Sequence, residues 1–171
     1  LSRLYLIQLM NYNKIIVQRN KLLKEISFSA NLSDTLEVWD LQLVRYGKSV
    51  IRERMHFVER LNRILKDIHS SLTGGKEEIE IVYEPSVQEE MFEQELARNR
   101  ERDLHFRQSC IGPHRDDFCV RVNGIDIRRF GSQGQQRTAA LSLKLAEISL
   151  VEQEVKDTPV LMLDDVLSEL D

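Results

Sequence analysis

Ser132, Gly134 and Gln135 sit in the stretch FGSQGQQRTAALSLKLAE (Phe130 to Glu147), where a turn rich in glycine and glutamine runs directly into an apolar helical segment. Free amides at the start of a helix bind anions, phosphate above all. Gly131 and Gly134 leave the backbone open to close approach, and Ser132 adds a hydroxyl at the same place. Farther on, PVLMLDDVLSELD (Pro159 to Asp171) reads as an apolar strand ending in the paired carboxylates Asp164 and Asp165. Ligands of α/β sheets gather at the carboxyl ends of strands. One carboxylate there suits Mg²⁺, which bridges phosphates while keeping several waters, and a second can polarise an attacking water. Either motif alone has a plainer reading, as a helix cap or an acid-capped strand end. Their succession in one chain is what points to phosphate chemistry.

These residues need elements to hold them. Leu9, Tyr12, Ile16, Leu23 and Ile26 recur at helical spacing, with Arg19 interrupting, so a first helix is expected over 9–26. SANLSD breaks that pattern, and Asp34 with Glu37 has the form of a capping box opening a second helix. Along that helix Ile51, Met55, Val58, Leu61, Leu65, Ile68 and Leu72 step by threes and fours until Gly74 and Gly75. Two antiparallel helices would make a stubby arm, too short for a long coiled coil. EIEIVYE (Glu78 to Glu84) alternates as a strand, and Ser86 with Glu89 predicts the cap of a charged helix reaching about His105. Phe118, Val120 and Val122 alternate up to Asn123-Gly124, a hairpin turn signal. The helix after Gly134 is apolar nearly all round and is expected to be buried. The predicted fold is α/β with a large helical part, organised as a helical arm over 1–77, a strand, charged helix and hairpin over 78–130, and the signature helix with its strand over 131–171.

The 171 residues are 42% apolar and 30% charged, with 7 Gly and 3 Pro, a balance that favours a helix-rich soluble protein over a disordered one. A net charge of −4 argues against indiscriminate coating of nucleic acid or membrane, yet leaves room for a local basic patch. At about 100° per residue, Arg45, Lys48, Arg52, Arg60 and Arg63, with His56, fall on one side of the second helix, opposite its apolar stripe. A solvated face and a DNA-contacting face fit that stripe equally well. No apolar run approaches the roughly 18 residues of a membrane span, so a cytoplasmic address without a membrane partner is expected. Cys110 and Cys119 lack CxxC spacing and read as reduced structural thiols. In GPHRDDF (Gly112 to Phe118), His114, Asp116 and Asp117 could ligate metal, but adjacent acids beside a proline more often make a hydrogen-bonded turn. Arg98, Arg100, Arg102 and Arg107 alternate with acids as on an ordinary solvated helix, and His56, His69 and His105 show no partner pattern.

The order SxGQ, apolar helix, apolar strand with DD, then SELD resembles the second half of an ABC-type ATPase head. Ser132, Gly134 and Gln135 match the signature motif, Val160 to Asp164 the Walker B strand, Asp165 the catalytic acid, and Ser168 to Asp171 the D-loop. With GPHRDDF and LMLDDVLSELD the likeness narrows to the RecF family of bacterial recombination mediators. The resemblance implies part of a P-loop ATPase head with a helical arm (lobe II) and a short β-hairpin, using ATP and Mg²⁺. It implies a signature turn acting in trans across an ATP-dependent homodimer, Asp164 holding Mg²⁺ through water, and Asp165 positioning the attacking water. It further implies binding to duplex DNA and single-strand/duplex junctions, with RecR and RecO helping RecA to load at gaps during repair and the SOS response.

Asp165 stands where most ABC-type heads carry glutamate, which the resemblance links to slow turnover. No GxxxxGK[ST] loop occurs in the sequence; Gly74-Gly75-Lys76 lacks both the leading glycine and the hydroxyl residue. A start at Leu1 and an end just after an apolar run fit a central segment of a RecF-like protein. Such a segment is expected to be inactive alone and to hold no nucleotide tightly, its parent being a slow DNA-dependent ATPase. Three alternatives fit less of the sequence: an SMC-like DNA-bridging ATPase, a transporter's ATPase half, and a non-catalytic helical interaction module.

Overall fold

The computed structural model describes residues 3–26 and 33–155. Among them the order is α1 (Arg3–Ile26), α2 (Ser33–Thr73), β1 (Ile79–Glu84), α3 (Phe92–Arg98), α4 (Arg100–Phe106), a 3-10 turn (Pro113–Arg115), β2 (Asp117–Val122), β3 (Ile125–Asp126), α5 (Ile127–Phe130) and α6 (Gln133–Val155). Two compact units emerge, one from the described residues of Leu1–Met55 and Glu84–Asp117, the other from those of His56–Tyr83 and Phe118–Asp171. Packing thus groups the chain differently from the three consecutive segments read along the sequence, because α2 contributes to both units.

In the first unit, α1 runs antiparallel to the first part of α2. Leu22 and Leu23 pack with Leu36, Arg19 reaches Asp40, and Tyr5 Oη lies 3.4 Å from Arg54 Nε, so partners descend along α2 as α1 is climbed. A Cβ on Gly47 would stand 3.2 Å from the Tyr12 ring and overlap Phe92, so glycine is what lets α1 and α3 approach α2 here. Arg19 is no interruption of the α1 core face but its buried centre, fully shielded from solvent. Its Nε donates to Asp40 Oδ1 (2.6 Å), and Nη1 to Asp103 Oδ2 (2.7 Å) and Ser109 Oγ (2.7 Å). α1 also starts earlier than its stripe predicted, at Arg3.

The helix expected from Ser86 to His105 is corrected in two ways. It begins only at Phe92, without a side-chain cap, and it divides at Asn99 into α3 and α4. Ser86 is used elsewhere, its Oγ accepting from Gly112 N (2.9 Å) and lying 3.0 Å from Gly112 O as donor, while Glu89 pairs with Arg52. A tertiary partner took each side chain that local spacing assigned to a cap.

In the second unit, β1, β2 and β3 form a sheet in that order. β2 and β3 pair antiparallel, Val122 opposite Ile125, about a turn in which Asn123 (φ 51°) and Gly124 (φ 78°) are both left-handed, as a two-residue hairpin turn requires. Leu61, Leu65, Ile79, Ile81, Val122, Ile127, Ala139 and Ala146 make the core. Asn62 satisfies both backbone groups of Ile81 on the edge strand, donating to its carbonyl (2.8 Å) and accepting from its amide (2.7 Å). α2 stops at Gly74 (φ 60°) and Gly75 (φ 74°), where Gly75 N donates back to Ser70 O (2.8 Å). Of its stripe, Leu61 and Leu65 are buried, whereas Met55 and Leu72 are exposed. α6 likewise buries one face through Ala139, Ser142, Ala146 and Leu150 while Ala140, Lys144 and Glu147 stay exposed, so its all-round apolar composition overstated its burial.

Candidate functional site

The turn before α6 is built by two glycines with opposite requirements. Gly131 follows the single turn of α5, and a Cβ there would lie 2.6 Å from Ile127 O, so the fold demands glycine. At Gly134 a Cβ would meet nothing among the described residues closer than Ser132 Oγ at 3.9 Å. Between them Ser132 caps the helix. Its Oγ accepts from Gln135 N (3.2 Å) while Gln135 Oε1 accepts from Ser132 N (3.1 Å), a reciprocal capping box. Gln136 Nε2 ties the turn down by donating to Ile127 O (2.8 Å). The amides of Gln133 and Gly134 lie in the first helical turn, where no intrahelical acceptor exists. A rigid helix start with solvent-facing Ser132 and Gly134 is a ready anion seat.

Behind the turn lies a group of polar side chains. Gln135 Nε2 donates to Glu77 Oε1 (2.9 Å), and Glu77 Oε2 stands 3.4 Å from His69 Nε2. His69 is fully buried, its Nδ1 2.8 Å from Ser142 Oγ, so it holds a structural place that the sequence did not reveal. The one available signal was its position four residues after Leu65 on the buried stripe.

GPHRDDF is a hydrogen-bonded knot. Gly112 has φ 118°, and a Cβ there would lie 2.5 Å from Tyr12 Oη. Pro113 O accepts from Arg54 Nη1 (2.6 Å), and Asp116 accepts from Arg54 Nη1 (3.1 Å) and Ser86 N (2.9 Å). His114 Nε2 lies 3.0 Å from Ser109 O, which can only accept, so Nε2 carries the proton and Nδ1 accepts from Tyr12 Oη (2.7 Å). Both ring nitrogens are thereby committed. Burial pushes the His114 pKa down and the Tyr12 pKa well above the usual tyrosine range.

The basic residues of α2 differ in their engagement. Arg45 is exposed and stacks 5.7 Å from the Tyr46 ring centroid, and Lys48 is half-buried. Arg52 is bound through both its Nε and Nη2 by Glu89, whose carboxylate raises the guanidinium pKa further. In the second unit, Arg60 and Arg63 are exposed and border an open cleft with Asp67, Ser149 and Gln153. Asp164, Asp165, Ser168 and Asp171 lie outside the described residues.

No protein-family model matches the chain. Individual proteins do. The DNA replication and repair protein RecF of Agathobacter rectalis is 57% identical over all 171 residues, and that of Acetivibrio thermocellus is 46% identical over 98% of the chain. A solved structure of the recombination mediator protein RecF-ATP in the RecFOR pathway superposes on 99% of the chain with a TM-score of 0.91 at 38% identity. The chain belongs to the RecF family. It spans about half the length of the curated RecF relatives it matches, 47% and 48% of the two named here. Fold class agrees with the expectation: a largely helical segment of a RecF ATPase head with a small three-stranded sheet. No described helix is long and apolar enough to cross a membrane.

Proposed function

We propose that this chain supplies the trans-acting phosphate clamp of a RecF ATPase that dimerises on DNA during recombinational repair. Ser132 and the amide of Gly134 would receive the γ-phosphate of ATP bound by the partner head. Bound ATP and Mg²⁺ supply the phosphoryl chemistry; Asp164 is assigned to the metal and Asp165 to the attacking water. The dimer on duplex or junction DNA would help RecR and RecO place RecA at gaps. The observation that carries this reading is the contrast between the two glycines: Gly131 is required by the fold, whereas Gly134 sits on a helix start where, among the described residues, nothing approaches an added Cβ closer than 3.9 Å. Close approach by something outside the chain is a physical reason for it.

Ser132→Arg in a full-length RecF protein carrying these residues is the test. Each monomer should still bind ATP, while ATP-dependent dimerisation fails and hydrolysis falls by about 10²-fold or more, the usual scale for removing a preorganised charge-stabilising group. Mixing it with Asp164→Asn should return partial activity, because one composite site of the mixed dimer is then intact. No recovery in demonstrably mixed dimers would place the turn in cis or reduce it to a helix cap.

A further inference from the structure

Glu77 follows the Gly74-Gly75 stop of α2, and its Oε1 accepts from Gln135 Nε2 (2.9 Å), while Oε2 stands 3.4 Å from the buried His69 Nε2. His69 is in turn set by Ser142. The Ser142 hydroxyl donates its single proton to Thr138 O (2.8 Å), so at the 2.8 Å contact His69 Nδ1 must be the donor, and Nε2, which has no hydrogen-bond partner among the described residues, gives Glu77 no anchor. The consequence falls on Gln135. Its Oε1 accepts from Ser132 N (3.1 Å), which only an oxygen can do, and its Nε2 donates to a carboxylate, which only the nitrogen can do. Both ends of the amide are therefore assigned, and the second Nε2 hydrogen has a defined direction. Local capping chemistry alone leaves that side chain one anchor short.

We propose that Glu77 is a positioning residue that orients the Gln135 carboxamide so that its second N–H is offered to an oxygen of the bound nucleotide. This rests on the reading above that the turn meets the partner's ATP. Glu77 touches no reacting atom; it acts through Gln135. A glutamine without that brace rotates among rotamers, and its donor is spread over several directions.

The experiment compares Glu77→Ala, Glu77→Gln, Gln135→Ala and the exchange Glu77→Gln/Gln135→Glu in a full-length RecF protein carrying these residues, with Ser132→Arg alongside. Readouts are thermal unfolding, monomer affinity for ATP, ATP-dependent dimerisation, and kcat and KM for hydrolysis. Glu77→Ala should lower kcat and dimerisation about tenfold, on the scale of a misplaced binding group, without changing monomer ATP affinity. Glu77→Gln keeps a carbonyl acceptor and should recover most of that loss. Glu77→Ala added to Gln135→Ala should cost nothing further, since both remove the same interaction. The exchange keeps a hydrogen bond between positions 77 and 135 and hence the melting temperature, but replaces the outward donor by a carboxylate, so hydrolysis should stay low. An active exchange variant, or an unaffected Glu77→Ala, overturns the proposal even where Glu77→Ala alone is too unstable to assay. If Ser132→Arg also dimerises normally, the reading of the turn has failed and this inference with it; if Ser132→Arg is defective while the Glu77 variants are not, only the role of Glu77 falls.

Discussion

Arg19 Nη1 lies 2.7 Å from Asp103 Oδ2, and neither side chain reaches solvent. The pair joins α1 to α4, with Asp40 of α2 on the other side of the guanidinium at 2.6 Å. Charges so placed are stable only as a set, because each carries a desolvation cost that its partners offset.

Removing one partner should therefore be severe. Asp103→Ala leaves buried Arg19 with Asp40 and the neutral Ser109 hydroxyl, and orphans Cys110 N, which donates to Asp103 Oδ1 (2.8 Å). A loss of about 3–5 kcal/mol in denaturant unfolding is expected, whereas Arg19→Met with Asp103→Leu should cost clearly less than the single change. Equal losses for the two variants would mean that the charges contribute nothing beyond the volume they fill.

His114 gives the fold a pH dependence of known sign. Burial lowers its pKa in the folded state, so the unfolded chain takes up a proton first as pH drops. Stability should be full above the ordinary histidine value of about 6.5 and decline as pH falls below it toward the depressed folded pKa. Unfolding measured at successive pH values should show that decline, flattened in His114→Gln. A wild-type profile no steeper than that of the variant would remove His114 as its source.

Gly112 and Gly134 should respond oppositely to alanine. Gly112→Ala places a side chain at φ 118° and within 2.5 Å of Tyr12 Oη, so about 2–4 kcal/mol should be lost from strain and overlap together. Gly134→Ala meets open space inside a helix and should stabilise by roughly 0.5–1 kcal/mol. In a full-length protein the same Gly134→Ala should reduce ATP-dependent dimerisation if the turn receives a phosphate. Comparing melting temperature with dimerisation separates the two effects.

The basic face of α2 can be read from salt dependence. Deleting a cation that neutralises one DNA phosphate should lower the log-log slope of duplex binding by about 0.9. Arg45→Ala and Arg60→Ala should each produce such a step. Arg52→Ala should produce less than Arg45→Ala, because Glu89 already holds its guanidinium. An unchanged slope in the double variant Arg45→Ala/Arg60→Ala would leave the stripe a solvated face.

By itself the sequence determined what local chemistry controls. The Gly74-Gly75 stop, the Asn123-Gly124 turn and the helices α1 and α2 follow from backbone freedom and periodicity, which act over a few residues. The S-x-x-Q spacing of Ser132 and Gln135 belongs to that class too, since a capping box closes within one turn. Only the tertiary structure decided where charged and polar side chains went once distant segments met. Arg19 broke an apolar stripe in the sequence, yet Asp40, Asp103 and Ser109 arrive from 21, 84 and 90 residues away to make it a core residue. Ser86 and Glu89 had cap spacing but found Gly112 and Arg52. His69 had no sequence partner because Glu77 and Ser142 converge on it only after α2, the following loop and α6 pack together. A buried polar group is placed by whichever distant partner satisfies it, and linear spacing carries no record of that choice.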